Sequence, residues 1–268
     1  MNTNKTYSEL MQFQQDTEAL SSIAGRLAWD QETMMPHGST DQRAAEQAAI
    51  VKIIHSRNAD QRIPEWIDKI RPQNEIEEAN IRLIKINYQK ACKVSPDLNA
   101  AIARTTSKAH SIWASARERE DVAEYLPVLT EIVNLKRQKA EALAEAGNYY
   151  EALADGYEPG MSITDISEMF EKLRPTLVSL RKEILAEDQI PSVTDSFDRN
   201  IQLNLAKELA VIFGYDLTKG RIDLAIHPFS SGSGNDVRIT TRIDQADPFN
   251  CIYSTIHEVG HATYEQNI

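Results

Sequence analysis

The apolar residues of this chain keep helical spacing over most of its first 213 positions and then change period, which limits the fold more than any other feature. Thr6 to Trp29 and Ser39 to Arg57 each carry apolar residues three and four apart among strong helix formers. Pro36 and Gly38 mark a turn between them. The same pattern predicts helices over Gln73–Lys93, Pro96–Glu120 and Ala123–Ala146. Gly156, Pro159 and Gly160 then interrupt it, and Ser162, three residues before Asp165, has the form of a capping box that restarts a helix. In that helix Ile166, Met169, Phe170, Leu173, Leu177, Leu180 and Ile184 make one apolar stripe, which Pro175 should kink. A further helix runs from about Asp198 to Phe213, with Gly214 as its C-terminal cap.

Beyond Gly214 the period falls to two. Ile222, Leu224 and Ile226 alternate, as do Val237, Ile239, Thr241 and Ile243. The segment between them, HPFSSGSGN, is rich in Gly, Ser and Pro, so the pair reads as a β-hairpin. A last helix begins at Asp247, an N-cap, with Pro248 in the first helical position. The expected fold is therefore mainly α, with a small hairpin or sheet beside the final helix.

That final helix carries HEVGH. His257 and His261 are four residues apart, so their imidazoles leave nearly the same face and can reach one tetrahedral ion at about 2.0–2.1 Å. Glu258 is turned by roughly 100° from His257, flanks the ion instead of binding it, and can act as the base for a metal-activated water. This is the HExxH logic of amide hydrolysis. Gly260 inside the helix costs about 1 kcal/mol and suggests a close approach at that point.

A zinc site needs a third protein ligand. Glu265 lies about 12 Å of helix rise from His257, too far for all three to meet one ion. His227 reaches the ion only if the hairpin folds over the helix. On these residues alone the metal site is incomplete.

Charge and composition narrow the partners. A net charge of −11 argues against nucleic acid or an anionic membrane surface. The polar opening has no signal-peptide core and no apolar run is long enough to span a membrane, so a cytoplasmic location is expected. Cys92 and Cys251 are too few and too isolated for a disulfide framework or a thiolate metal site. Trp29, Trp66 and Trp113 sit on helical patterns and read as core. His37, His55 and His110 have no partners at metal spacing, and Arg238 alone reads as an ordinary strand charge.

Five segments in order resemble the Taq-type thermostable metallocarboxypeptidases, a family of HExxH zinc peptidases. They are WDQETMMPHG from Trp29, YEPGM from Tyr157, HPF from His227, DVRIT from Asp236 and HEVGH. The resemblance implies a large, multi-helix, zincin-like fold with a deep groove and a small sheet beside the active-site helix. It implies a homodimer that removes C-terminal amino acids from peptides, using one Zn2+, Co2+ or other divalent ion per subunit. Carried over, His257 and His261 become metal ligands, Glu258 the catalytic base, and His227, Asp236 and Arg238 residues that shape the substrate site. The family's later motifs, an HES-type segment with the third ligand, IRxxAD and GxxQDxHW, have no counterpart in this sequence. Residues 1–268 therefore read as one helical metallocarboxypeptidase domain truncated at its C-terminus, and inactive by itself. A related helical zinc oligopeptidase cutting internal bonds, or an inactive helical interaction fragment, are the competing readings.

Overall fold

The computed structural model describes residues 3–144, 147–187 and 195–268. Helix α1 (Thr3–Thr33) packs on α2 (Thr40–Asn58), α2 on α5 (Pro96–Glu118), and α5 on α6 (Val122–Leu143). Small side chains allow the close α2–α5 approach: Ala44 and Ala48 on one helix and Ala100 and Ala109 on the other are buried. Leu10 and Phe13 hold α1 in this core, and Arg57 spreads over the Phe13 ring, 4.0 Å from its centroid.

Helix α3 (Arg62–Lys69), too short for a periodic pattern to reveal, and α4 (Glu75–Lys93) close one side. The end predicted at Ala146 lies outside the described residues, and α6 is described to Leu143. Ser95 and Asp121 cap α5 and α6 through their side chains. A short α7 (Tyr149–Ala154) and the YEPGM turn lead into α8 (Ile163–Ala186). The expected capping box is formed there: Ser162 accepts from the Asp165 backbone, and Asp165 accepts from that of Ser162. Pro175 does not end α8. Its apolar stripe is not buried; Phe170, Leu177 and Ile184 are all more than half exposed.

Helix α9 (Arg199–Ile212) ends at Gly214, whose φ of +94° is the left-handed cap that glycine adopts without strain. The sheet that follows has the order β1-β3-β2, from β1 (Ile222–Leu224), β2 (Ser230–Ser233) and β3 (Asp236–Thr241). The two alternating segments are not the arms of one hairpin. β1 runs parallel to β3, with Ile222 opposite Ile239. The hairpin partner of β3 is β2, which occupies the Ser/Gly segment expected to be loop, with Ser233 opposite Asp236 across a two-residue turn. Its residues, SSGS, have no apolar alternation to reveal a strand; the backbone ladder alone makes it one.

Helix α10 (Pro248–Glu265) lies across this sheet and against α9. Ala210, Tyr215, Ile222, Val237, Ile239, Val259 and Ala262 form the shared core. The Tyr215 hydroxyl donates to the Val237 carbonyl at 2.6 Å and lies 3.1 Å from the Arg221 carbonyl, tying the strand starts to the end of α9. No described helix is long and apolar enough to cross a membrane.

Candidate metal and active site

Asp247 starts α10 by accepting from the Asn250 backbone, and Pro248 follows in the first turn. The helix has two distinct faces. Cys251, Thr255, Glu258, Val259 and Ala262 are buried, while His257, Gly260, His261 and Tyr264 are exposed. The inward face is fixed by polar as well as apolar contacts: Thr255 Oγ1 donates to the Cys251 carbonyl at 2.7 Å and stands at hydrogen-bond distance, 2.9 Å, from Thr241 Oγ1.

On the open face, His257 Nε2 stands 3.3 Å from His261 Nε2, with the rings edge to face. A tetrahedral ion held at about 2.0–2.1 Å by each nitrogen needs a separation of about 3.3 Å, so the pair is spaced for bidentate capture of a divalent cation. Glu258 is only 7% exposed. Burial pushes its carboxyl above the ordinary glutamate range, and the charges of His257, His261 and His227 pull it back. His227 itself is exposed, yet it is close enough for its charge to be felt at Glu258. Among the described residues no group of three or more His, Cys, Asp or Glu could hold a metal ion. The fit is to two protein ligands.

The expected close approach at Gly260 is absent. A Cβ there would meet nothing within 4 Å, so this glycine is not explained by packing among the described residues.

Asp236 and Arg238 occupy the other side of the sheet. Val237, Ile239 and Thr241 point to α10, so pleating sends Asp236, Arg238 and Thr240 the opposite way. There Arg238 donates to Asp236 at 2.7 and 3.0 Å, and Arg26 of α1 donates to the same carboxylate at 2.9 Å. The Arg238 guanidinium holds the Asp236 carboxyl below its usual range, with Arg26 adding to the effect. Thr240 binds the HPF segment: its backbone N–H donates to the Phe229 carbonyl, and its Oγ1 accepts from the Phe229 N–H, both at 2.9 Å. The HPF and DVRIT segments are thus one hydrogen-bonded unit.

Trp29 is the residue whose part in this region the sequence left unread. It is 4% exposed, and the guanidinium carbons of Arg238 and Arg221 lie 4.7 and 5.1 Å from its ring. The first and fourth of the recognisable segments therefore meet in space, which no helical or strand period could reveal.

The family model for carboxypeptidase Taq (M32) metallopeptidases matches residues 9–268. Thermostable carboxypeptidase 1 of Thermus thermophilus is 36% identical, over 100% of this chain and 56% of its own length. Thermostable carboxypeptidase 1 of Pyrococcus furiosus is 30% identical, over 98% and 54%. Among solved structures, the M32 carboxypeptidase from Deinococcus radiodurans R1 superposes with a TM-score of 0.82 at 28% identity, over 98% of this chain and 54% of that one. The Pyrococcus furiosus carboxypeptidase also superposes at 0.82, with 29% identity over 97% and 54%. The chain spans about half the length of the relatives it matches. Because the match takes in the helical bundle, the sheet and both histidines, the chain belongs to the carboxypeptidase Taq (M32) metallopeptidase family.

Proposed function

We propose that this chain is the histidine-bearing part of a metal-dependent carboxypeptidase that releases C-terminal amino acids from peptides. The observation that carries the reading is the 3.3 Å pair of Nε2 atoms beside the buried Glu258. His257 and His261 hold the cation, one per subunit. Zinc suits two imidazoles with a tetrahedral bite, and cobalt is the next candidate. When bound, the cation supplies Lewis acidity, polarising a scissile carbonyl and acidifying a water.

Glu258 does the proton work. Its carboxylate takes a proton from the attacking water and returns it to the leaving amine. His227, exposed ahead of β2, contacts the substrate in this reading. Asp236 and Arg238 shape the substrate site at one remove, by holding β3 against α1. β2 is an edge strand packed near α10, along which an extended peptide can lie. Substrates are peptides with a free C-terminus. The assembly is a homodimer in the cytoplasm, and neither nucleic acid nor membrane is a partner.

Two imidazoles supply half of a tetrahedral shell, so the 268-residue chain alone binds zinc weakly and turns over negligibly. The test supplies the part of the Thermus thermophilus relative that this chain does not cover and assays blocked peptides with free or amidated C-termini. Chelator-sensitive release of C-terminal residues, lost in Glu258→Gln and with amidated peptide, supports the reading. Release unchanged in Glu258→Gln would overturn the role of that residue. Internal cleavage of the amidated peptide would make the enzyme an endopeptidase instead.

A further inference from the structure

A second concave site lies away from α10. A cavity of about 1200 Å³ is walled by α2, α4, α6, α7 and the YEPGM turn, with no residue from α9, the sheet or α10. Its volume exceeds the roughly 300–1,000 Å³ usual for small-ligand sites, so a ligand fills only part of it. Ile54, Ile86, Leu143 and Met161 give it apolar walls.

The charge of this cavity is unusual for the chain. In a protein of net charge −11, it is lined by Lys90, Lys93, Lys136 and Lys139 against Glu151 and Asp155. Both carboxylates are already engaged. Asp155 pairs with Lys90 at 2.5 Å and accepts from the Gly160 N–H at 3.0 Å. Glu151 accepts from the Ile163 N–H at 3.2 Å and from the Asn148 side chain. Lys136 and Lys139 are three apart on α6, so their ammonium groups share one face. Neither has a carboxylate partner among the described residues.

Burial pushes the Lys139 ammonium below the ordinary lysine range, and the neighbouring charge of Lys136 pushes it the same way. Two like charges, one of them partly desolvated, stand at the edge of an apolar hollow. A ligand that brings one negative group to this pair relieves both the repulsion and the lost hydration.

We propose that this cavity binds an organic anion: an apolar body against α2 and α4, with a carboxylate or phosphate head seated between Lys136 and Lys139. No residue of α9, the sheet or α10 lines the cavity, and its occupancy does not require a metal.

The test is calorimetric titration of the 268-residue chain with octanoate, octyl phosphate, octanol and inorganic phosphate. One-to-one binding of an octyl anion, with octanol at least tenfold weaker, is expected. Lys136→Gln and Lys139→Gln should each weaken that binding tenfold or more, while Lys172→Gln on α8 should leave it unchanged. Octanoate binding tighter than octyl phosphate points to carboxylate ligands such as peptide C-termini, and the reverse order points to phosphate esters. Lysine side-chain NMR gives a readout independent of the variants, because the Lys139 titration midpoint should rise when the anion is added. Octanol binding as tightly as the anions, affinity unchanged in both glutamine variants, or no binding by either octyl anion would each overturn the proposal.

Discussion

The guanidinium carbon of Arg238 lies 4.7 Å from the centroid of the Trp29 ring, while its nitrogens donate to Asp236. One side chain therefore joins the end of α1 to the sheet that supports α10. Without Arg238, Asp236 keeps Arg26, but the buried indole loses the nearer of its two guanidinium contacts and keeps only Arg221.

Trp29→Ala should cost about 3–5 kcal/mol of stability, as large buried aromatic truncations do. Arg238→Gln should cost about 1–2 kcal/mol, from the lost ring contact and a partly exposed ion pair. The double variant checks the link. Denaturant unfolding should show the two losses falling short of additive by roughly 0.5–1 kcal/mol. Simple additivity would mean that the stacking contributes nothing.

Helices, caps and the chemical pair were legible because each is a local matter. Asp247-Pro248, Ser162…Asp165 and the four-residue spacing of His257 and His261 each express their geometry within one or two turns. The sheet was legible only in part, since SSGS carries no side-chain pattern and the parallel register of β1 is set by packing against Val237 and Ile239. The exposed stripe on α8 is the opposite case: the period says which residues share a face, not what covers it. The Trp29–Arg238 contact joins residues far apart in the chain, so it needed the fold to be seen.

Two glycines should respond to alanine in opposite directions. At Gly220 a Cβ would collide with the Val237 carbonyl oxygen and the Tyr215 hydroxyl, both held by the same hydrogen bond. Gly220→Ala should therefore destabilise by about 1–3 kcal/mol or more. At Gly260 a Cβ meets open space on an exposed helix face, so Gly260→Ala should stabilise by roughly 0.5–1 kcal/mol. Thermal unfolding of both variants decides the matter. A destabilised Gly260→Ala would reveal a steric constraint that the described residues do not contain.

His55 should make stability depend on mildly acidic pH. It is 7% exposed, Asn99 donates to its Nδ1 at 2.9 Å, and burial lowers its pKa from 6.5. The unfolded chain then binds more protons than the folded one below about pH 6.5, so stability falls as pH drops from that value toward the lowered folded pKa. Unfolding free energies measured from pH 7 downward should slope less in His55→Gln than in the wild type. Equal slopes would show that His55 takes up its proton without cost.

Tyr215 should act at the other end of the scale. Its hydroxyl donates to the Val237 carbonyl, and burial pushes its pKa up to about 12 from the ordinary 10. Between those values the unfolded chain loses the phenolic proton while the folded chain keeps it. The contribution is thus fully present below pH 10 and lost as pH rises toward 12. Tyr215→Phe should cost about 1–3 kcal/mol at neutral pH, because the Val237 carbonyl loses the Tyr215 donor, while the Arg221 carbonyl keeps the Ile239 N–H. Its deficit should shrink as pH climbs through that window, because there the wild type loses what the variant never had. A deficit constant from pH 8 to 12 would mean that the phenol titrates alike in the folded and unfolded chains.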